Sequence, residues 1–320
     1  MLKRSAIFQI ILSIYCASLG ASQLNSHTEK QVAWTSPCMA TQCEISAHFK
    51  SVKEQVEHRW HAFQSNREFK LFKPGQSDVA LKEEFENIQS RRESMWTTLG
   101  YELAQHLIAS DLIRAPGCVA FAYNNTVPYY NASTMCLGDQ YYIACEGPRS
   151  KDIPKFFNLL VTHQVTHLVR LTDAYEGETK KCHPYWDGLL TQDGSGLNIP
   201  TEAGVYSIHA FDMAYWRDNQ GVDPDQLLST VLQVRQAVAD GLLVVHCSAG
   251  VGRTGTFLAA LAIVNAIDRA EPFSIEEIVY RLSLQRVHSV GKCGQYITLH
   301  KLAEIYLEQK ASHHKPHEIL

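Results

Sequence analysis

The stretch that most constrains this chain runs from Leu242 to Gly255 and reads Leu-Leu-Val-Val-His-Cys-Ser-Ala-Gly-Val-Gly-Arg-Thr-Gly. Leu242 to Val245 is an apolar run short enough for a buried strand, and Phe257 to Ile267 is apolar over helical length. A cysteine therefore leaves a strand end, and an arginine six residues later opens a helix. Gly250 and Gly252 relax the backbone between them. The N–H groups of Ser248, Ala249, Gly250, Val251, Gly252 and Arg253 can then converge on one point, an anion nest reinforced by the helix N-terminus. A phosphate fits such a cradle, and so does a thiolate.

The residue types match that geometry. A helix N-terminus, N–H donors and a nearby arginine can bring a cysteine pKa down to roughly 3.5–7.5, which makes Cys247 a nucleophile. Arg253 can grip two oxygens of a phosphoryl group with its planar fork. Thr254 can donate its hydroxyl to the sulfur when a phosphocysteine is hydrolysed, and His246 is expected to fix the loop backbone rather than act as base. The bland alternative is a buried structural cysteine beside a turn. His-Cys, spaced glycines and Arg-Thr-Gly occurring together outweigh it. A P-loop nucleotide site is excluded, because no Gly-Lys-Ser/Thr follows the glycines.

The stretch resembles the signature loop of the Cys-based protein tyrosine phosphatases, His-Cys-x-x-Gly-x-x-Arg-Thr-Gly. Three further segments extend the resemblance over about residues 80–308. Glu176-Gly-Glu-Thr-Lys-Lys181-Cys-His-Pro-Tyr-Trp186 is similar to a family hairpin. There the glutamate orients the signature arginine and the lysine approaches the acid loop, which implies that Glu176 braces Arg253 and Lys181 sits near Asp218. Trp216-Arg217-Asp218 resembles the family's Trp-Pro-Asp loop and makes Asp218 the general acid, with Asp212 as rival. Arg217 replaces proline, and one extra residue precedes Gly221. Val290-Gly-Lys-Cys-Gly-Gln-Tyr296 resembles the family's Val-Gln-Thr-x-x-Gln-Tyr, so Gln295 matches one water-positioning glutamine while Gly291 and Lys292 stand where Gln-Thr is usual. The family's Lys-Asn-Arg-Tyr element has no counterpart between residues 90 and 120.

The resemblance implies an α/β fold, a highly twisted mixed sheet with helices on both faces and the signature strand central. It implies a phosphotyrosine phosphatase working without metal or cofactor, a monomer whose partners are phosphotyrosine proteins or peptides. A phosphoinositide phosphatase ranks second, since Ser248, Ala249 and Val251 offer no lysine inside the loop. A phosphotyrosine-binding module with slow or no turnover ranks third; Gly291 favours it and the Cys247, Arg253 and Asp218 set opposes it.

Composition bounds the rest. The chain has 320 residues, 45% of them apolar, and a formal charge of −4, which gives no general case for nucleic acid or an anionic membrane as partner. Met1-Leu-Lys-Arg4 followed by the apolar Ser5–Leu19 and the small residues to Ser22 reads as a signal peptide over 1–22, too short for a spanning anchor, and implies export. A polar leader is expected over 23–55, a catalytic domain over 56–310 and a polar tail over 311–320. The nine cysteines lack a disulfide-scaffold spacing, although Cys38 and Cys43 could pair. Leu81, Phe85 and Ile88 share a helical face, Asp223 and Ser274 begin helices, and Asn131 in Asn-Ala-Ser is expected to serve the sheet rather than carry a glycan.

Overall fold

The structure is a computed structural model, and it describes residues 42–64, 68–92, 130–239 and 241–313. The expected signal peptide, Cys38, the stretch 93–129 and the end of the tail lie outside the described residues. A twisted, mixed six-stranded sheet forms the centre. Its strands are β1 (Ala132–Leu137), β2 (Gln140–Glu146), β3 (Val165–Arg170), β6 (Gly196–Thr201), β7 (Gly204–Asp212) and β8 (Leu242–Cys247), in the spatial order β1-β2-β8-β3-β7-β6. A separate hairpin joins β4 (Tyr175–Glu176) and β5 (Thr179–Lys180). β8 lies between β2 and β3, parallel to both, and the outer pairs β1–β2 and β6–β7 are antiparallel. A strand covered on both faces needs an unbroken apolar run, and Leu242–Val245 supplies it.

Alternate residues of the central strands enter two cores. Tyr142, Ala144, Leu243 and Val245 face one; Ile143, Cys145 and Val244 face the other. The first is covered by α1 (Gln42–Gln64), α2 (78–92), α4 (Pro224–Val238), α5 (Gly252–Asp268), α6 (Ile275–Gln285) and α7 (Cys293–His313). The second is covered by α3 (Ile153–Thr162), through Phe156, Phe157 and Leu160. Leu81, Phe85 and Ile88 are buried, and the expected caps form: Asp223 accepts from the Gln226 N–H, and Ser274 from the Glu277 N–H.

Two expectations change. The expected leader is in part helix: α1 starts at Gln42 and runs across the anticipated boundary at 56. Ile45, Val52, Val56, Trp60 and Phe63 are buried at helical spacing, with Phe49 stacked on Tyr141, so the folded unit includes these residues. The stripe is present in the sequence, but polar residues dominate its flanks. Strand β6 is the second addition, marked by the alternation of buried Leu197 and Ile199 with exposed Asn198.

Candidate active site

The loop after β8 is shaped from outside. The Cys247 carbonyl accepts from His246 Nδ1 at 3.0 Å, and the Ser248 carbonyl from the Gly147 N–H at 2.9 Å. Arg286, almost wholly buried at the end of α6, donates from Nη2 to the Ala249 carbonyl at 3.1 Å and from Nε to the Gly250 carbonyl. Its remaining donors are fixed by Ser133 Oγ and Asn131 Oδ1. With the carbonyls engaged outward, the peptide planes turn their N–H groups inward, and the Gly250 N–H donates to Cys247 Sγ at 3.2 Å. Gly250 has φ 71°, and a Cβ there would lie 2.1 Å from the Cys145 carbonyl, so only glycine fits. α5 then opens without a side-chain cap, which leaves its first N–H groups available to an anion.

His246 is fully buried, and desolvation pushes its pKa down to about 4. The ring is therefore neutral near pH 7. A carbonyl can only accept, so the proton sits on Nδ1, and Nε2 accepts from the Tyr185 hydroxyl at 2.6 Å. His246 fixes the loop backbone, as its position suggests.

Arg253 stands in the first turn of α5, with no exposed surface. Nη1 donates to Glu176 Oε1 and to the Trp216 carbonyl, both at 2.6 Å. Nε and Nη2 are buried and make no hydrogen bond. Glu176 uses its other oxygen to accept from the Asp218 N–H at 3.0 Å, so one carboxylate positions both the arginine and the acid loop. Asp218 lies 2.9 Å from Lys181 Nζ and 3.3 Å from Arg253 Nη2. Desolvation pushes its pKa up, but the Lys181 hydrogen bond and the Arg253 and Lys181 charges outweigh it and hold the carboxyl below its ordinary range. The rival Asp212 is ion-paired to Arg170, two strands' width from the cradle chemistry.

Comparison with known proteins bears on this arrangement. The protein-tyrosine phosphatase family model matches residues 118–199 and 197–304, more than half of the chain. The chain belongs to the protein-tyrosine phosphatase family. Receptor-type tyrosine-protein phosphatase alpha of Homo sapiens is 26% identical over 272 residues, 73% of this chain and 33% of its own length. Tyrosine-protein phosphatase 2 of Schizosaccharomyces pombe is 32% identical over 159 residues, 41% of this chain and 22% of its own. Tyrosine-protein phosphatase non-receptor type 13 of Mus musculus is 26% identical over 217 residues, 55% of this chain and 9% of its own. The chain thus spans about a third or less of the length of these relatives.

Within this family the chain's departures have structural consequences. Gln295 is buried, and its Oε1 accepts from the Gly291 and Lys292 N–H groups at 3.0 and 3.2 Å, capping α7 beside Gly252. At Gly291 an added Cβ would meet the His288 carbonyl at 3.3 Å, a close contact that must give by a few tenths of an ångström, and Gly252 Cα at 4.0 Å. The expected hydrogen bond from Thr254 to sulfur is not formed. Its Oγ1 is buried without a partner, and Sγ instead receives the Gly250 N–H. The extra residue in the acid loop is absorbed at Asn219, with φ 60°, while Trp216 is buried and donates Nε1–H to the Gln220 carbonyl at 3.0 Å. Arg217, in place of proline, is exposed. Sequence reading missed Arg286 and Tyr185, and the hold of Asn131 on Arg286. Each acts through contacts across the sheet, which no local spacing announces.

Proposed function

We propose that the chain hydrolyses phosphotyrosine in proteins through a phosphocysteine at Cys247. The observation that carries this reading is Arg253 in a loop whose carbonyls are all turned away: Nε is buried with no hydrogen-bond partner, and Nη2, also without a hydrogen bond, faces only the Asp218 carboxylate at 3.3 Å. Buried donors of a charged group that make no hydrogen bond are costly, and two oxygens of a phosphoryl dianion satisfy them in fork geometry.

In the first step the Cys247 thiolate attacks phosphorus and the bond to the phenolic oxygen breaks, with Asp218 giving that oxygen its proton. The unliganded site holds Asp218 ionised between Lys181 and Arg253. A bound dianion takes over Arg253 and lies against the carboxylate, so Asp218 gains a proton as substrate arrives. In the second step water attacks phosphorus, Asp218 receives its proton, and the S–P bond breaks to return thiolate and phosphate. The inward N–H groups and Arg253 hold the equatorial oxygens in both transition states. Thr254, with a hydroxyl free to donate, can stabilise the departing thiolate.

Cys247→Ser tests the reading. It should abolish phosphate release from phosphotyrosine peptides and retain binding, because the cradle is backbone and Arg253. Turnover near the wild-type rate would overturn it. The basic start and apolar Ser5–Leu19 support export, and the exported chain is taken as a monomer. That is checked by N-terminal sequencing of protein recovered outside the producing cell and by its sedimentation. Among the described residues no helix is long and apolar enough to cross a membrane.

A further inference from the structure

Arg92 stands in the last described turn of α2, N-terminal to the residues that the family model matches, and is almost wholly buried. Burial pushes its pKa down to about 10, which leaves the guanidinium charged near pH 7. A buried arginine is ordinarily paired with a carboxylate. Here its hydrogen bonds to the described residues all go to backbone carbonyls. Nη1 donates to Val290 at 3.1 Å, and Nη2 to Ser289 at 2.6 Å and, more weakly, to Val279 at 3.5 Å. Ser289 and Val290 belong to the loop between α6 and α7, and that loop is strained. Val290 is β-branched with φ 56°, in the left-handed region such side chains avoid, and His288 has φ 63°. The loop also packs against the cradle helix, since a Cβ on Gly255 would lie 2.8 Å from Ser289 Cα.

The Val290 carbonyl and the Gly291 N–H are the two ends of one peptide unit. Arg92 grips the carbonyl, and the N–H donates to Gln295 Oε1 at 3.0 Å, joined there by the Lys292 N–H at 3.2 Å. Two donors on one atom fix that atom as the oxygen, so the amide nitrogen takes the other side. A Cβ on Gly252, at the cradle, would lie 3.1 Å from that nitrogen. Among the described residues the Gln295 side chain bonds through Oε1 alone, which leaves Nε2 to donate to a water.

We infer that Arg92 is a positioning residue for the second step: by fixing the peptide between Val290 and Gly291 it fixes Gln295, whose Nε2 holds the attacking water. This rests on the phosphocysteine reading above and names the residue that orders its hydrolysis. The water oxygen bonds to phosphorus, its proton passes to Asp218, and the S–P bonding pair returns to Cys247 as thiolate. The first step uses Cys247, Arg253 and Asp218, and Arg92 touches none of them. Arg286, which holds the cradle, is fixed separately by Ser133 and Asn131. Arg92 therefore acts on one step and not on the other.

Rapid mixing with a nitrophenyl phosphate separates the two steps. Arg92→Met keeps the apolar stem and removes the guanidinium. Its steady rate should fall roughly five- to thirtyfold, the scale of a hydrogen bond from a charged donor, while the burst rate stays within about twofold of wild type. The burst should grow in Arg92→Met even if the wild-type burst is small, because only the second step slows. In a Gln295→Ala background the same change should cost less than about twofold, since the amide it acts on is gone. A retained burst rate also reports an intact cradle. Should Arg92→Met fail to fold, Arg92→Lys decides. Its ammonium reaches one carbonyl at a time, and its steady rate should fall about two- to fivefold with the burst rate kept. Equal slowing of both steps, an unaltered steady rate, or an undiminished effect in Gln295→Ala overturns the role of Arg92 and leaves the phosphatase reading standing. Wild-type protein that forms no phosphocysteine on acid quenching overturns that reading, and the inference with it.

Discussion

In the proposed reaction, the balance of the Asp218 carboxyl between two cations sets the pH range. Burial favours its neutral form, and Lys181 and Arg253 favour its ionised form and prevail. Removing a cation that stabilises a carboxylate raises its pKa. Lys181→Met should therefore move the basic limb of the kcat/KM profile for an aryl phosphate to higher pH, because Asp218 keeps its catalytic proton longer. A limb that stays in place or moves down would assign that ionisation to another group. Gly291 makes a second residue-scale prediction. Gln295 spends its oxygen on the Gly291 and Lys292 N–H groups, and position 291 holds no amide beside the loop. The phosphocysteine should thus be slow to hydrolyse, giving a burst of phenol in rapid mixing. Gly291→Gln should raise the steady rate and leave the burst rate nearly unaltered. No burst, together with an unaltered steady rate, would mean that another group places the water. Glu176 and Lys181 make the contacts that the resemblance implied for them, to Arg253 and to Asp218, while the spacing of Cys247 and Arg253 is local and was read directly from the sequence. The Thr254 hydroxyl makes no hydrogen bond here, because a hydroxyl's direction depends on helix phase, which spacing leaves open.

Among the elements, the acid loop is held at both ends by contacts between segments distant in sequence. At its start Asp212 pairs with Arg170, whose guanidinium lies 3.6 Å over the Trp186 ring, and Asp212 Oδ1 accepts from the Ala214 N–H at 2.7 Å. At its end Gly221 abuts the Gly294 carbonyl, and the Val222 N–H donates to Thr298 Oγ1 at 3.3 Å. Asp212→Asn should loosen the first anchor without touching the reacting atoms. We expect kcat for poor leaving groups to fall about three- to tenfold, the scale of a partly exposed ion pair plus one hydrogen bond, with KM little altered. Asp212→Glu should restore part of it. Equal loss for good and poor leaving groups would show that Asp212 does not act through Asp218. The loop itself was legible from Trp216 and Asp218. Its anchors were not, since parallel pairing of β3 with β7 joins residues 42 apart.

For the whole molecule, the α/β class and the central place of β8 were legible through the resemblance of the signature stretch, and a buried strand, a glycine turn and an apolar helix agree with it. The extent of the folded unit was not. α1 carries many polar residues, and only its packing shows that Trp60 belongs to the core, between Phe63, Phe69 and the Arg281 guanidinium 4.2 Å from its ring. Trp60→Ala should cost about 3–5 kcal/mol, the usual penalty for emptying a large aromatic site, read as a lower denaturant midpoint. A loss under about 1 kcal/mol would make α1 an appendage. The two cores and the sheet serve one loop, and the central claim is that this loop forms a covalent intermediate. Its most direct measurement is acid quenching during turnover of a phosphotyrosine peptide, followed by mass analysis of the fragment containing Cys247. The account predicts one phosphoryl group on Cys247 in the burst phase, absent from Cys247→Ser. Steady turnover with Cys247 unmodified at every quench time, or phosphate on another residue, would contradict it.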